Sequence, residues 1–248
     1  MIPLKQTTSL AIALLVALSS SLQAQSVLPN ANDPIVFNAA APPSTGRPGR
    51  RSDAGSRGCG EGELSSSSEA KPLLALVPTQ KTASSTVVFG KTAAEHPTFW
   101  FYVPHRSSLT ATFVLQDRDG KPVYESNVAL PKTAGIVSLT LPATVAPLET
   151  GKPYHWFFKL YCRSNSPPDS FVDGWIQRES LPSDLSEQLK TATLQQQVRI
   201  YAANGFWFEA LTTAAQLRRT NSGDSAWAQL LGAIGLESVA TEAILTLL

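Results

Sequence analysis

Two prolines bracket one six-residue run and fix the structural class of the middle of the chain. Pro97-Thr-Phe-Trp-Phe-Tyr-Val-Pro104 sets aromatic and β-branched residues between two that cannot donate to a sheet ladder, which predicts a short strand over 98–103. Downstream, Leu109, Ala111, Phe113 and Leu115 share one face by period-two alternation, while Thr110 and Thr112 point the other way. Asp117-Arg-Asp-Gly-Lys-Pro122 supplies turn chemistry before an extended run over 123–130, so the two segments are expected to form a hairpin. Further strands are expected over 136–141, 154–162 and 171–178.

After Ser180 the period changes. Ser183 or Asp184 opens a helix as a possible N-cap, with Glu187 in the first turn. Leu194, Val198 and Tyr201 recur at helical spacing, and Gly205 is a natural stop. Trp207, Ala210, Leu211, Ala214 and Leu217 form a second apolar stripe. Trp227, Leu230, Leu231 and Ile234 form a third, capped by Asp224 or Ser225. The first two stripes resemble one tetratricopeptide helix pair, and one pair cannot bury a core alone. The expected fold is therefore β-rich with α: an antiparallel immunoglobulin-like β-sandwich over residues 71–180, followed by a small C-terminal helical segment over 181–248 with a tetratricopeptide-like hairpin. The helices are expected to pack on the sandwich, with a binding surface where the pair meets the sheet.

The chain opens with a secretory pattern: Lys5 as the positive region, an apolar run over 10–18, and small residues over 19–24. The run is far shorter than the roughly 20 residues that span a bilayer, so a signal peptide over 1–24, cleaved after Ala24, is expected rather than a transmembrane anchor. Residues 25–70 are dominated by Ala, Pro, Gly, Ser, Asn and Arg, and read as a disordered linker. Within it, the basic glycine-rich run from Arg47 to Gly60 offers backbone N–H groups for an anion, but no strand-to-helix context surrounds it and a solvated linker is the preferred reading. Removing Lys5 with the signal leaves 19 basic against 19 acidic side chains. Such a neutral chain lacks the positive field that drives nucleic-acid binding. A periplasmic or secreted location is expected.

Export places Cys59 and Cys162, the two cysteines, where thiols are normally oxidised, and a Cys59–Cys162 disulfide is the preferred reading. Its rival is a nucleophilic Cys162 with a histidine base and Arg163, as in cysteine transpeptidases. His96 and His105 flank one strand and would stand up to ~30 Å apart, too far to share a metal ion. His155 reads as a partly exposed strand residue. His105, Asp173 and Ser225 fall in the chain order of trypsin-like triads, and Gly223-Asp-Ser-Ala226 echoes their nucleophile run. Ala226, however, replaces a glycine, and helix capping explains the segment. Trp100, Tyr102, Trp156, Trp175 and Trp207 are either core or the lining of a carbohydrate or peptide groove.

Gly-Cys-Gly60, Leu73-Leu-Ala-Leu-Val-Pro78, the proline-bracketed strand, Pro147-Leu-Glu-Thr-Gly-Lys-Pro-Tyr-His-Trp156, Gly174-Trp-Ile-Gln-Arg178 and Trp227-Ala-Gln-Leu-Leu231 occur in this order. Together they resemble the exported cyanobacterial family catalogued as domain of unknown function 928, from about residue 47 onward. The resemblance implies secretion and a single module. It brings no assigned activity, cofactor or catalytic residue, and its cysteine near the linker and cysteine ending a long strand agree with the Cys59–Cys162 pairing. The residues favour a non-catalytic interaction module of the cell envelope with a protein or envelope component as partner. A small envelope hydrolase or transpeptidase is the alternative. No catalytic, metal or cofactor residue is singled out.

Overall fold

The computed structural model describes residues 28–31, 33–43, 48–53, 71–82, 85–104, 110–163 and 166–247. Its strands are β1 (Ser52–Asp53), β2 (Leu73–Ala75), β3 (Thr79–Lys81), β4 (Thr86–Thr92), β5 (Thr98–Val103), β6 (Thr110–Gln116), β7 (Pro122–Val128), β8 (Gly135–Thr140), β9 (Pro153–Tyr161) and β10 (Ser170–Arg178). Four helices follow: α1 (Ser183–Thr191), α2 (Leu194–Ala203), α3 (Trp207–Thr220) and α4 (Ala226–Ala233).

The strands make two sheets, ordered β1-β2-β5-β8 and β3-β4-β10-β9-β6-β7. The expected hairpin is present as the β6–β7 pair, with a register shift at Leu115/Gln116. The expectation of a wholly antiparallel arrangement is corrected at one place: β4 runs parallel to β10, with Phe89 opposite Trp175. Hairpin signals specify antiparallel neighbours in sequence, whereas this pair is joined only after the chain has crossed to the other sheet and back.

β5 is buried on both faces, which is why its sequence is apolar throughout. One face meets the six-stranded sheet: Phe101 stacks on Phe158 with ring centres 4.2 Å apart, and Phe99 meets Phe113 at 4.8 Å. The other face meets the helices, where Trp100 lies edge-on to Trp227 at 5.6 Å and its Nε1 donates to Thr212 Oγ1 at 3.1 Å. Trp207 is fully buried and donates from Nε1 to the Leu76 carbonyl. Phe208 enters above Gly90, where a Cβ would stand 2.7 Å from its ring, so glycine makes room for the helix. Sheets and helices thereby share one apolar core.

Gly205 takes φ +75 and ends α2, as its composition predicts. The helical stretch before it is divided, however. Thr193 caps α2 by accepting from the Gln196 N–H, while the Gln196 side chain accepts from the Thr193 N–H; this reciprocal box starts a new helix and separates α1 from α2.

Part of the span read as linker is folded onto the domain. Asn38 N–H donates to Ala202 O, Arg199 Nε donates to Asp33 O, Ile35 is buried, and the Phe37 ring meets Trp207 at 4.8 Å. Residues 49–53 then stitch the two sheets together. Ser52 pairs with Leu74 of β2, while Arg50 exchanges backbone hydrogen bonds with Asp173 of β10 at 3.0 and 2.9 Å. Arg51 Nη1 reaches the Ile234 carbonyl beyond α4. Residues 49–53 carry no large apolar side chain, and their order comes from backbone pairing and charged side chains, which a composition argument does not weigh.

Candidate functional site

Alternation along β9 turns Tyr154, Trp156, Phe158 and Leu160 inward, which leaves His155 on the outer face of the six-stranded sheet. There it is buried, not partly exposed: its Nε2 lies 2.8 Å from Asp173 Oδ2, and its ring stacks on Trp175 at 4.4 Å and 6°. Asp173 Oδ1 accepts from Arg50 N–H, Asp53 Oδ2 accepts from Phe171 N–H, and the Arg50 guanidinium covers the Phe171 ring at 4.2 Å. The outer face is thus covered by the corner segment, which is why period-two alternation alone misplaces His155. His155 Nδ1 is buried without a hydrogen-bond partner.

Among the described residues no hydroxyl or thiol side chain hydrogen-bonds this acid–histidine pair. Cys162 stands about 23 Å further along the strand at ~3.3 Å per residue, and on the opposite face; its N–H donates to Asp169 Oδ2 at 2.7 Å. His96 is engaged with the Val145 carbonyl at 2.9 Å. His105 and Cys59 lie outside the described residues, so the Cys59–Cys162 pairing does too. Asp173 hydrogen-bonds His155, and Ser225 precedes α4, where its Oγ accepts from Gln229 and Asp224 Oδ1 accepts from Ala226 N–H. Among the described residues no group of three or more His, Cys, Asp or Glu could hold a metal ion, and no helix is long and apolar enough to cross a membrane.

Other sequence candidates are spent on structure. Trp100, Tyr102, Trp156, Trp175 and Trp207 are all at most 5% exposed, so they do not line an open groove. The junction of helices and sheet is filled by Trp207, Leu211 and Leu217, so the helices pack on the sheets as expected. In the basic run, the Gly49 and Arg50 N–H groups bind Thr86 O and Asp173 O, so this described part is not an anion cradle.

A second buried acid, Glu209 of α3, latches the helix to the end of β4. Its Oε1 accepts from Thr92 Oγ1 at 2.5 Å and from the N–H groups of Ala93 and Ala94 at 2.9 and 3.0 Å. The other oxygen is sealed from solvent without a partner. Desolvation holds this carboxyl above its usual range, against the opposing effect of those hydrogen bonds.

One open feature among the described residues is a groove of ≈ 500 Å³ between the β6–β7 turn and the loop leading into β9. Asp117, Asp119, Glu149 and Lys152 line it with charge, and Val123 and Pro147 are among its apolar members. Both walls are braced. Asp117 Oδ1 accepts from the N–H groups of Asp119 and Lys121, and Gly120 takes φ +87 in the turn. Across the groove, Tyr154 Oη accepts from Glu149 N–H, Gly151 N–H donates to Arg178 O, and Arg178 Nη1 donates to Leu148 O. Glu149 hydrogen-bonds Lys152 at 2.6 Å, which holds that ammonium above its ordinary range. The sequence marks each wall only as a turn; nothing local indicates that the two meet.

A family model described as Domain of Unknown Function (DUF928) matches residues 52–244, well over half of the chain. The chain belongs to this family. No curated protein matches it. The DUF928 span opens at the corner strand β1 and takes in both sheets, both groove walls and the four helices.

Proposed function

We propose that this DUF928 chain is an exported, non-catalytic interaction module of the cell envelope that recognises a polypeptide partner in the groove between the β6–β7 turn and the 146–153 loop. The observation that carries this reading is the groove's make-up: charges of both signs beside apolar Val123 and Pro147, on two loops braced by their own hydrogen bonds. Side chains of both signs match a mixed-charge peptide rather than a polyanion, and braced walls lower the ordering cost of binding. Export rests on the N-terminal pattern, and a Cys59–Cys162 bridge fits the oxidising compartment that export implies. The same reading takes the packed sheets as an immunoglobulin-like sandwich modified by the parallel β4–β10 pair, and α2–α3 as one tetratricopeptide-like hairpin seated on it.

The test is selection from a defined random-peptide display library on immobilised mature protein, repeated with Ala146→Trp, which fills the groove from an exposed position. Peptides of converging sequence that lose binding at least tenfold in the variant are expected. Selected peptides indifferent to Ala146→Trp would move the site elsewhere. Cleavage of the peptides that disappears in Cys162→Ser or His155→Ala would replace binding with catalysis.

A further inference from the structure

The outer edge of the four-stranded sheet holds a strand ladder that is begun and not finished. β8 pairs with β5 on one side only. On its other side the backbone of Ile136 points outward: its N–H donates to Ala243 O at 2.8 Å, and its carbonyl accepts from Leu245 N–H at 2.7 Å. Residues 243–245 therefore lie alongside β8 as a parallel strand, with Ile136 opposite Ile244.

By the period of two, the backbone groups of Ser138 and Thr140 point the same way as those of Ile136. Among the described residues, they have no hydrogen-bond partner beyond the sheet itself. The tail thus takes one rung of an edge that offers three.

The first position is shaped for an aliphatic side chain. A Cβ on Gly135 would lie 2.6 Å from Leu245 Cδ1 and 2.7 Å from its Cγ, so the glycine is a notch that this leucine fills. Ile244, Leu245 and Leu247 are partly buried and pack against the core. Just before them the chain is fastened by Arg218, which donates to the carbonyls of Ala240 and Glu242, and by the Lys71–Glu242 ion pair. The tail past Glu242 is therefore a short occupant on a firm tether, which raises its effective concentration at the edge.

We propose that the β8 edge is a strand-acceptor site that takes an extended segment of a partner polypeptide in parallel register, with an aliphatic residue seated over Gly135, and that residues 243–245 are its intramolecular placeholder. A partner strand long enough to pair along Ile136, Ser138 and Thr140 makes more main-chain bonds than the tail does and displaces it. Main-chain pairing supplies affinity and the notch supplies selectivity. This site lies on a different sheet from the groove and stands independently of the function proposed there.

The probe is a labelled peptide of residues 241–247, Thr-Glu-Ala-Ile-Leu-Thr-Leu, titrated by fluorescence anisotropy against three full-length proteins. Leu245→Pro removes the N–H that bonds the Ile136 carbonyl and frees the edge. It is expected to bind the peptide saturably and at least tenfold more tightly than the wild-type chain. Adding Gly135→Val fills the notch and should abolish the gain. No binding to folded Leu245→Pro, or binding indifferent to Gly135→Val, would overturn the proposal.

Amide exchange on the wild-type chain tests it without any variant. The Leu245 amide should exchange by local opening at least tenfold faster than Val137 and Leu139, which face β5. Exchange of Leu245 only with global unfolding would make the tail a fixed part of the sheet and overturn the proposal. A concentration-dependent dimer of the wild-type chain lost in Leu245→Pro would assign the edge to a second copy's tail and overturn the partner strand.

Discussion

Replacing Glu209 by glutamine should remove one specific component of the pH dependence of folding. The carboxyl is kept above its usual range by desolvation, and its charge in turn helps to raise the neighbouring Tyr201 phenol, which is shifted mainly by its own burial. A group whose folded pKa lies above its unfolded value, about 4.3 for Glu, contributes stability that is complete below the unfolded value. That contribution is lost as pH rises through the folded pKa. Within that window the slope approaches one proton per molecule, about 1.4 kcal/mol per pH unit. Glutamine keeps an oxygen acceptor for Ala93 and Ala94 N–H and cannot ionise, so its stability should lack this slope. Glu209→Ala instead orphans the Ala93 N–H, at about 1–3 kcal/mol, and leaves the Ala94 N–H with Thr92 Oγ1 alone. Urea unfolding across a pH series, comparing wild type with Glu209→Gln, isolates the effect because the histidines are common to both. Parallel stability curves for the two proteins from pH 4 upward would refute the reasoning.

Trp207→Ala should cost about 3–5 kcal/mol in urea unfolding while preserving a single transition, since it empties the shared core and strands the Leu76 carbonyl. Separate transitions for sheets and helices would contradict a shared core. Gly174→Ala should cost about 1–3 kcal/mol, because its Cβ would stand 2.5 Å from Trp156 Cζ2 and 2.7 Å from Val88 Cγ1; an unchanged midpoint would show that the packing there yields. Peptide mapping of non-reduced exported protein should recover Cys59 linked to Cys162, and recovery of both as free thiols would reject the bridge.

Local chemistry makes some elements readable and leaves others silent. β5 could be read because Pro97 and Pro104 bound it, and the end of α2 because Gly205 must take a positive φ. The break between α1 and α2 was present in the sequence as Thr193 and Gln196, but the apolar spacing of Leu194, Val198 and Tyr201 draws attention past the capping box. The β4–β10 pairing was hidden: a parallel pair between Phe89 and Trp175 leaves no turn between them to read. His155 shows the limit of alternation, which assigns a face but does not say what covers it. Asp173 reaches it from the next strand, and Arg50, which bonds Asp173, comes from far along the chain. The groove was invisible for a related reason. Each wall is an ordinary turn, and only the fold brings Asp117 and Glu149 to the same opening.

Amide shift mapping of isotope-labelled mature protein with a selected peptide most directly tests whether this family member binds rather than catalyses. Perturbations should concentrate over residues 117–121 and 146–153, with the peptide recovered intact after prolonged incubation. Perturbations centred on His155 and Cys162, or a cleaved peptide, would contradict a non-catalytic module that works through its groove.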